Sequence, residues 1–167
     1  MSLRLTGTFR QKVDAKGRVS VPVRLRRVIE AGDDEFDTDT GSLMYLVYGV
    51  HLDGYVEGYT AEAFGELTDS IIEMEEDDEG TRDRYQRMIL GKSMAVDVDK
   101  AGRTVLPKEI RDKLGIDGTG MDLAFSCLGD RFEIRPAEQQ DVEEEDDLAW
   151  LKSKGPKFKL RSKLKKN

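Results

Sequence analysis

Sulfur and imidazole are almost missing from this sequence of 167 residues, which holds one cysteine, Cys127, and one histidine, His51. A lone cysteine cannot close an intrachain disulfide, and Cys127 lies in an apolar strand pattern, so packing is its expected role. One His and one Cys give zinc no ligand set, and a Ser-His-Asp arrangement would rest on His51, which has no convincing partner pattern. No window approaches the roughly 18 apolar residues that a membrane helix needs. Met1-Ser2-Leu3-Arg4 lacks the apolar stretch of a secretory signal, so residence in the cytoplasm is expected. With no convergent nucleophile, base and oxyanion pattern, no enzyme, cofactor, metal or small-molecule substrate is expected.

Two stretches imitate ligand sites. Residues 31–42 cluster carboxylates (Asp33, Asp34, Glu35, Asp37, Asp39) but lack the spacing of a calcium loop, so a solvated acidic loop is expected. Gly118-Thr119-Gly120 lacks the rest of a phosphate-binding fingerprint and precedes a strand pattern, so it reads as a turn.

What is present comes twice. Val13-Asp14-Ala15-Lys16-Gly17-Arg18-Val19-Ser20-Val21-Pro22 and Val98-Asp99-Lys100-Ala101-Gly102-Arg103-Thr104-Val105-Leu106-Pro107 superpose at a shift of 85 positions. Val, Asp, Gly, Arg and Pro coincide, as does the arginine four places after Pro, Arg26 or Arg111. A self-match of this kind is an internal repeat. In each copy a strand ends at Val, Asp opens a turn by accepting from backbone amides, and Gly17 or Gly102 takes a position with positive φ. Arg18 and Arg103 then start a return strand near an exposed hairpin tip. Pro22 and Pro107 suit the first residue of a helix, and Gly115 supplies a C-terminal stop after Ile110 and Leu114.

The unit is similar to the AbrB/SpoVT module, and the doubled form, with D-x-x-G-R and a following Pro in each half, resembles the MraZ family of bacterial transcription regulators. The resemblance covers roughly residues 3–140 and implies an α+β, mostly β fold of tandem swapped hairpins, each chain an intrachain pseudo-dimer with a linking helical hairpin. It further implies ring-like homo-oligomers on short repeats in double-stranded promoter DNA, at the promoter of a cell-wall and division gene cluster, with hairpin-tip Arg and Lys at the DNA. Residence at the nucleoid follows from that implication.

A net charge of −7 opposes a DNA partner until its distribution is read. Residues 1–30 carry eight Lys/Arg against two Asp/Glu, whereas residues 31–91 carry three against seventeen. Residues 118–150 are again acidic, and residues 151–167 hold eight Lys/Arg and no Asp/Glu. A basic face on an acidic body is compatible with DNA.

The expected organisation is a first repeat over 1–59, a helical hairpin over 60–91, a second repeat over 92–140 and a charged, mobile tail over 141–167. Within the first repeat, Pro22 to Ile29 reads as a short helix with Val21, Leu25, Val28 and Ile29 inward. Leu43 to Val50 and Tyr55 to Tyr59 read as strands joined at an Asp53-Gly54 turn. Thr60 caps a helix whose Phe64, Leu67, Ile71 and Met74 form one apolar stripe, core or subunit interface. Thr81 is expected to cap the next helix, with Tyr85, Met88 and Ile89 inward. Leu123 to Leu128 and Arg131 to Arg135 repeat the strand–turn–strand. The tail joins acidic residues 141–147, an apolar island at Leu148-Ala149-Trp150-Leu151 and a basic block over 152–166.

The expected DNA contacts are Arg18 and Arg103 at base edges, since Arg suits guanine O6 and N7, with Lys16 and Lys100 beside them on phosphate. Asp14 and Asp99 hold the turns and orient the arginines. The competing reading has Asp and Arg simply pairing to close the turn. Arg10 and Lys12 share one strand face that either extends the basic patch or is an ordinary solvated face. From another class, the chain is an antitoxin-like interaction module whose charged C-terminal segment binds a protein partner.

Overall fold

The computed structural model describes residues 4–158 and Leu164. The chain divides into two compact units, Met1–Ala137 and Glu138–Asn167.

The first unit is mixed α and β, and its sheets are wholly antiparallel. The strands are β1 (Leu5–Val13), β2 (Arg18–Ser20), β3 (Ser42–Val47), β4 (Val56–Thr60), β5 (Ser93–Val98), β6 (Arg103–Val105), β7 (Met121–Gly129) and β8 (Phe132–Pro136). The helices are α1 (Val23–Ala31), α2 (Ala61–Glu73), α3 (Thr81–Met88) and α4 (Lys108–Leu114). Six strands form one sheet in the order β1-β7-β8-β4-β3-β5, and β2 pairs with β6 in a separate ribbon. Every strand segment of the first repeat therefore meets one from the second. β1 runs beside β7 from Leu5↔Gly129 to Val13↔Met121, and β3 runs beside β5 from Ser42↔Val98 to Val47↔Ser93.

The core follows the repeat. Val13 and Val98, Val21 and Leu106, Leu25 and Ile110, Ile29 and Leu114 are equivalent positions of the two copies, and all eight are buried in one cluster. Phe125 and Phe132, fully buried, close its centre. Each such side chain contributes roughly 1.5–3 kcal/mol by leaving water. Neither copy owns a core without the other.

Several local expectations hold. β1 and β5 end at Val13 and Val98. Leu25 and Ile29 face inward on α1. The Thr60 hydroxyl caps α2 by accepting from the Ala63 amide at 3.1 Å. The stripe holds too: Ile71 is buried, Phe64, Leu67 and Met74 are half-buried, and Phe64 stacks on Tyr45 with centroids 4.6 Å apart. Gly115 ends α4 at φ 73°.

Others are corrected. Pro22 and Pro107 occupy the N-cap, one place before the first helical residue. Asp53-Gly54 is not a two-residue hairpin turn: β3 stops at Val47 and β4 starts at Val56, so the connection is a loop. Thr81 does not cap α3. The Glu76 carboxylate accepts from the Arg82 and Asp83 amides, and Asp77 accepts from the Thr81 amide, so two acidic side chains upstream serve the helix start. Tyr85 is exposed rather than inward.

A seam of charge joins β4 to β8. Glu57 and Glu133 face each other in register, both largely buried, and Arg131 reaches Glu57 Oε2 at 2.7 Å and Glu133 Oε2 at 3.6 Å. Arg135 binds Glu133 at 3.0 Å and lies over the Tyr55 ring. Burial, with Glu133 opposite, pushes the Glu57 carboxyl up despite Arg131.

A fifth helix, α5 (Ala137–Ser153), is longer than the island around Trp150 suggested. Every residue from Asp141 to Lys157 is exposed. Much of the expected basic block, at 159–163 and 165–167, lies outside the described residues, as do residues 1–3 of the expected N-terminal reading.

Gly58 gives a direct test of the packing. A methyl group there would overlap the ring of Phe132, which is wholly buried against it. Gly58→Ala is expected to cost about 1–3 kcal/mol through overpacking. Thermal melting should show a lowered midpoint, and adding Phe132→Leu should recover part of the loss.

Candidate functional site

Each D-x-x-G-R copy folds into the same tight turn. Asp14 Oδ1 accepts from the Lys16 and Arg18 amides at 3.0 and 2.9 Å, and Asp99 Oδ1 accepts from the Ala101 and Arg103 amides at 2.9 Å each. The second carboxylate oxygen takes the following arginine: Arg18 Nε to Asp14 Oδ2 is 2.6 Å, and Arg103 Nε to Asp99 Oδ2 is 3.3 Å. The Arg18 amide, chiefly, holds the Asp14 carboxyl below the usual aspartate range, and the Arg103 amide does so for Asp99. Gly17 and Gly102 sit at φ 87° and 81°, as the turn reading required.

The two turns are stitched to each other. Leu106 N–H donates to the Gly17 carbonyl and Val21 N–H donates to the Gly102 carbonyl, both at 2.8 Å. A side chain at either glycine would strike the opposite copy: a methyl at Gly17 would lie 2.6 Å from the Leu106 carbonyl oxygen, and one at Gly102 would lie 2.6 Å from Arg26 Nη1. Arg111 reaches back over the first turn and donates from Nη1 to the Leu106 carbonyl at 2.6 Å. Arg26 and Arg111 thus pack over the partner copy's glycine. The repeat alignment marked both, yet their role across the copies carried no signal in either copy alone.

The expected return strands exist, but each ladders with the other copy's return strand. In the β2–β6 ribbon Arg18 faces Val105, Val19 faces Thr104 and Ser20 faces Arg103. Side chains alternate across the ribbon: Val19 and Thr104 are buried, while Arg18, Ser20, Arg103 and Val105 are exposed. The arginine side chains keep 64% and 71% of their surface in water despite their Asp partners. Such exposed pairs stabilise by about 0–1 kcal/mol. Turn closure and an outward guanidinium therefore coexist, since one Nε–H is engaged among five N–H donors.

Lys12, Arg18 and Arg103 line one open cleft of about 630 Å³, together with Ser20, Val105 and the acidic Asp97 and Asp99. Arg10 shares the outward face of β1 with Lys12 but does not line the cleft. Lys16 and Lys100 are exposed in the turns and also lie outside the lining. They are not equivalent: Lys16 aligns with Ala101, and Lys100 with Ala15. Among the described residues no group of His, Cys, Asp and Glu could hold a metal ion, and no helix is long and apolar enough to cross a membrane. Cys127 is buried and its thiol is pushed up to about 11 by desolvation.

No family model matches the chain. Similar whole proteins are nevertheless plain. The transcriptional regulator MraZ of Ruegeria sp. (strain TM1040) is 37% identical over 144 residues, 86% of this chain and 84% of that protein. The protein of the same name from Ruegeria pomeroyi is 38% identical over the same shares, and that of Mycoplasmopsis pulmonis is 33% identical over 78% of this chain and 77% of its own length.

Two outcomes test the turn geometry. Because the Asp14 and Asp99 carboxyls are depressed in the fold, their stabilisation is present above the ordinary aspartate range and is lost as pH falls through the depressed values. An Asp14→Asn/Asp99→Asn variant should melt lower than the parent at pH 7 and lose less of its remaining stability on acidification. Arg111→Ala removes a charged donor from the Leu106 carbonyl and should cost about 1.5–3 kcal/mol in denaturant unfolding.

Proposed function

The chain belongs to the MraZ family of transcriptional regulators, and on that premise we propose that it binds double-stranded promoter DNA sequence-specifically, through the β2–β6 ribbon. One observation carries this reading: two arginines from distant parts of the chain share one exposed face of a ribbon only two strands wide. A two-stranded ribbon fits the major groove, where Arg pairs with guanine O6 and N7. Arg18 and Arg103 are the base readers, and Asp14 and Asp99 hold each guanidinium at the tip. Lys16 and Lys100 take flanking phosphate, with Lys12 and Arg10 extending the basic surface. The acidic body repels DNA elsewhere and so orients the encounter.

In this reading the fold is a pair of swapped hairpins closed into an intrachain pseudo-dimer, with residues 1–59 and 92–140 as the halves, 60–91 as their link and 141–167 as an appendage. The chain assembles into a ring-like homo-oligomer. Support comes from the outer edges of β1 and β5, which end the six-stranded sheet among the described residues, and from the half-exposed stripe on α2. A ring presents the same ribbon repeatedly, which matches short repeated promoter elements and multiplies modest single-site affinity. The proposed target is the promoter of a cell-wall and division gene cluster, and the proposed location is the nucleoid.

A second reading has one observation in its favour. The exposed Leu148, Trp150 and Leu151 on α5 are apolar anchors for a protein partner, as in an antitoxin-like module. Such a partner would bind without the steep salt dependence of a phosphate interface.

Selection of bound duplexes from a random pool is expected to return spaced, guanine-containing repeats, and light scattering is expected to give a multimer mass at micromolar concentration. Arg18→Ala and Arg103→Ala should each leave the melting midpoint nearly unchanged and weaken specific binding by about 1–3 kcal/mol per lost base contact. Lys16→Ala should weaken all sequences alike and flatten the salt slope. Normal operator binding by both arginine variants, or their failure to fold, would contradict the assignment.

A further inference from the structure

The two halves of the ribbon are alike in backbone and unlike in chemistry at the face that meets solvent. The stitching bonds make Gly17/Leu106 and Val21/Gly102 hydrogen-bonded pairs. Antiparallel ladders alternate, so Arg18/Val105 and Ser20/Arg103 are the non-hydrogen-bonded pairs, whose side chains stand closest, with Cα atoms about 4.5 Å apart. Each arginine therefore has one residue directly opposite it on the exposed face. Beside Arg18 it is Val105, 56% exposed, and beside Arg103 it is Ser20, also exposed.

Val105 and Ser20 occupy equivalent positions of the two copies, 85 residues apart. An exposed valine alone is ordinary on a protein surface. This one lies in the cleft with Arg18 and Arg103 and is not part of the core cluster, to which the ribbon contributes Val19 from its other face. The C5 methyl of thymine is the apolar group that the major groove offers, whereas a hydroxyl can bond to any base edge.

We propose that Val105 is a specificity-determining residue that selects a thymine next to the guanine read by Arg18, while Ser20 leaves the corresponding base beside Arg103 weakly specified. The pseudo-twofold ribbon then reads an asymmetric element, and its orientation on the duplex is fixed by one methyl group. This inference rests on the DNA reading above and adds the identity of a neighbouring base.

The test uses the full-length protein and duplexes recovered from the random pool. Thymines flanking each guanine are replaced one at a time by deoxyuridine, which removes only the methyl group. The parent should lose about fourfold in affinity at one flanking thymine per element, the value of burying one apolar carbon. Val105→Ser should bind the two duplexes equally, and Ser20→Val should acquire a second methyl-sensitive position. Both substitutions lie on the exposed face, and the parent-only comparison requires no variant to fold. Equal binding of thymine and deoxyuridine duplexes by the parent, with guanine dependence retained, overturns the role of Val105 and leaves the ribbon reading standing. Methyl sensitivity that survives in Val105→Ser also overturns it. Absence of any selected duplex overturns both.

Discussion

Everything at the functional face hangs on two backbone hydrogen bonds, Leu106 N–H to Gly17 O and Val21 N–H to Gly102 O, each 2.8 Å. They join the turn of one repeat to the return strand of the other and set the register of β2 against β6. At Gly17 the opposite backbone comes closer than a side chain would allow, and at Gly102 the missing side chain leaves room for Arg26. From that register follow the outward placement of Arg18 and Arg103, the inward placement of Val19 and Thr104, and the merging of two small apolar sets into one core. A repeat of this size buries too little surface to be stable alone. The intertwining lets a chain with half-cores acquire a full one.

The energetics divide accordingly. Stability comes from the shared aliphatic cluster around Phe125 and Phe132 and from strand pairing across the two copies. The ion pairs at the tips contribute little, being largely in water. In the proposed reading that division is useful, because a guanidinium held by one weak, exposed contact could exchange its remaining N–H bonds from water to a base without loosening the fold. The carboxylate beside it fixes direction while neutralising part of the charge. On the proposed reading, longer-range attraction to DNA would come from the segregated basic segments rather than from the tips alone.

Much of this was legible in the residues. The equal spacing of Asp, Gly, Arg and Pro in both copies located the turns, the positive-φ glycines, the arginine pair and, to within one residue, the helix starts. The aliphatic positions at matched offsets marked the core. What the residues did not carry were the partnerships. Nothing in Val19-Ser20-Val21 says that it pairs with the segment around Thr104 rather than with its own entering strand, because both pairings present the same alternation. The clamps made by Arg26 and Arg111 were invisible for the same reason. The Glu57–Glu133 opposition across β4 and β8 depends on a register between segments 76 positions apart. The Asp53-Gly54 signal misled because the apolar run ending near Val50 outlasts the strand, and the Thr81 signal misled because Glu76 and Asp77 reach the same amides from upstream.

The central claim is that one chain supplies both strands of the reading ribbon. It is tested most directly by cross-linking Val19→Cys to Thr104→Cys in a Cys127→Ser background. These two residues are paired in register, at a separation that suits a disulfide, and lie on the ribbon face away from Arg18 and Arg103. Mild oxidation followed by non-reducing mass measurement should give chains cross-linked within themselves, of monomer mass, that still retain the selected DNA. Cross-links found only between chains, or none under oxidation that modifies both thiols, would contradict the account.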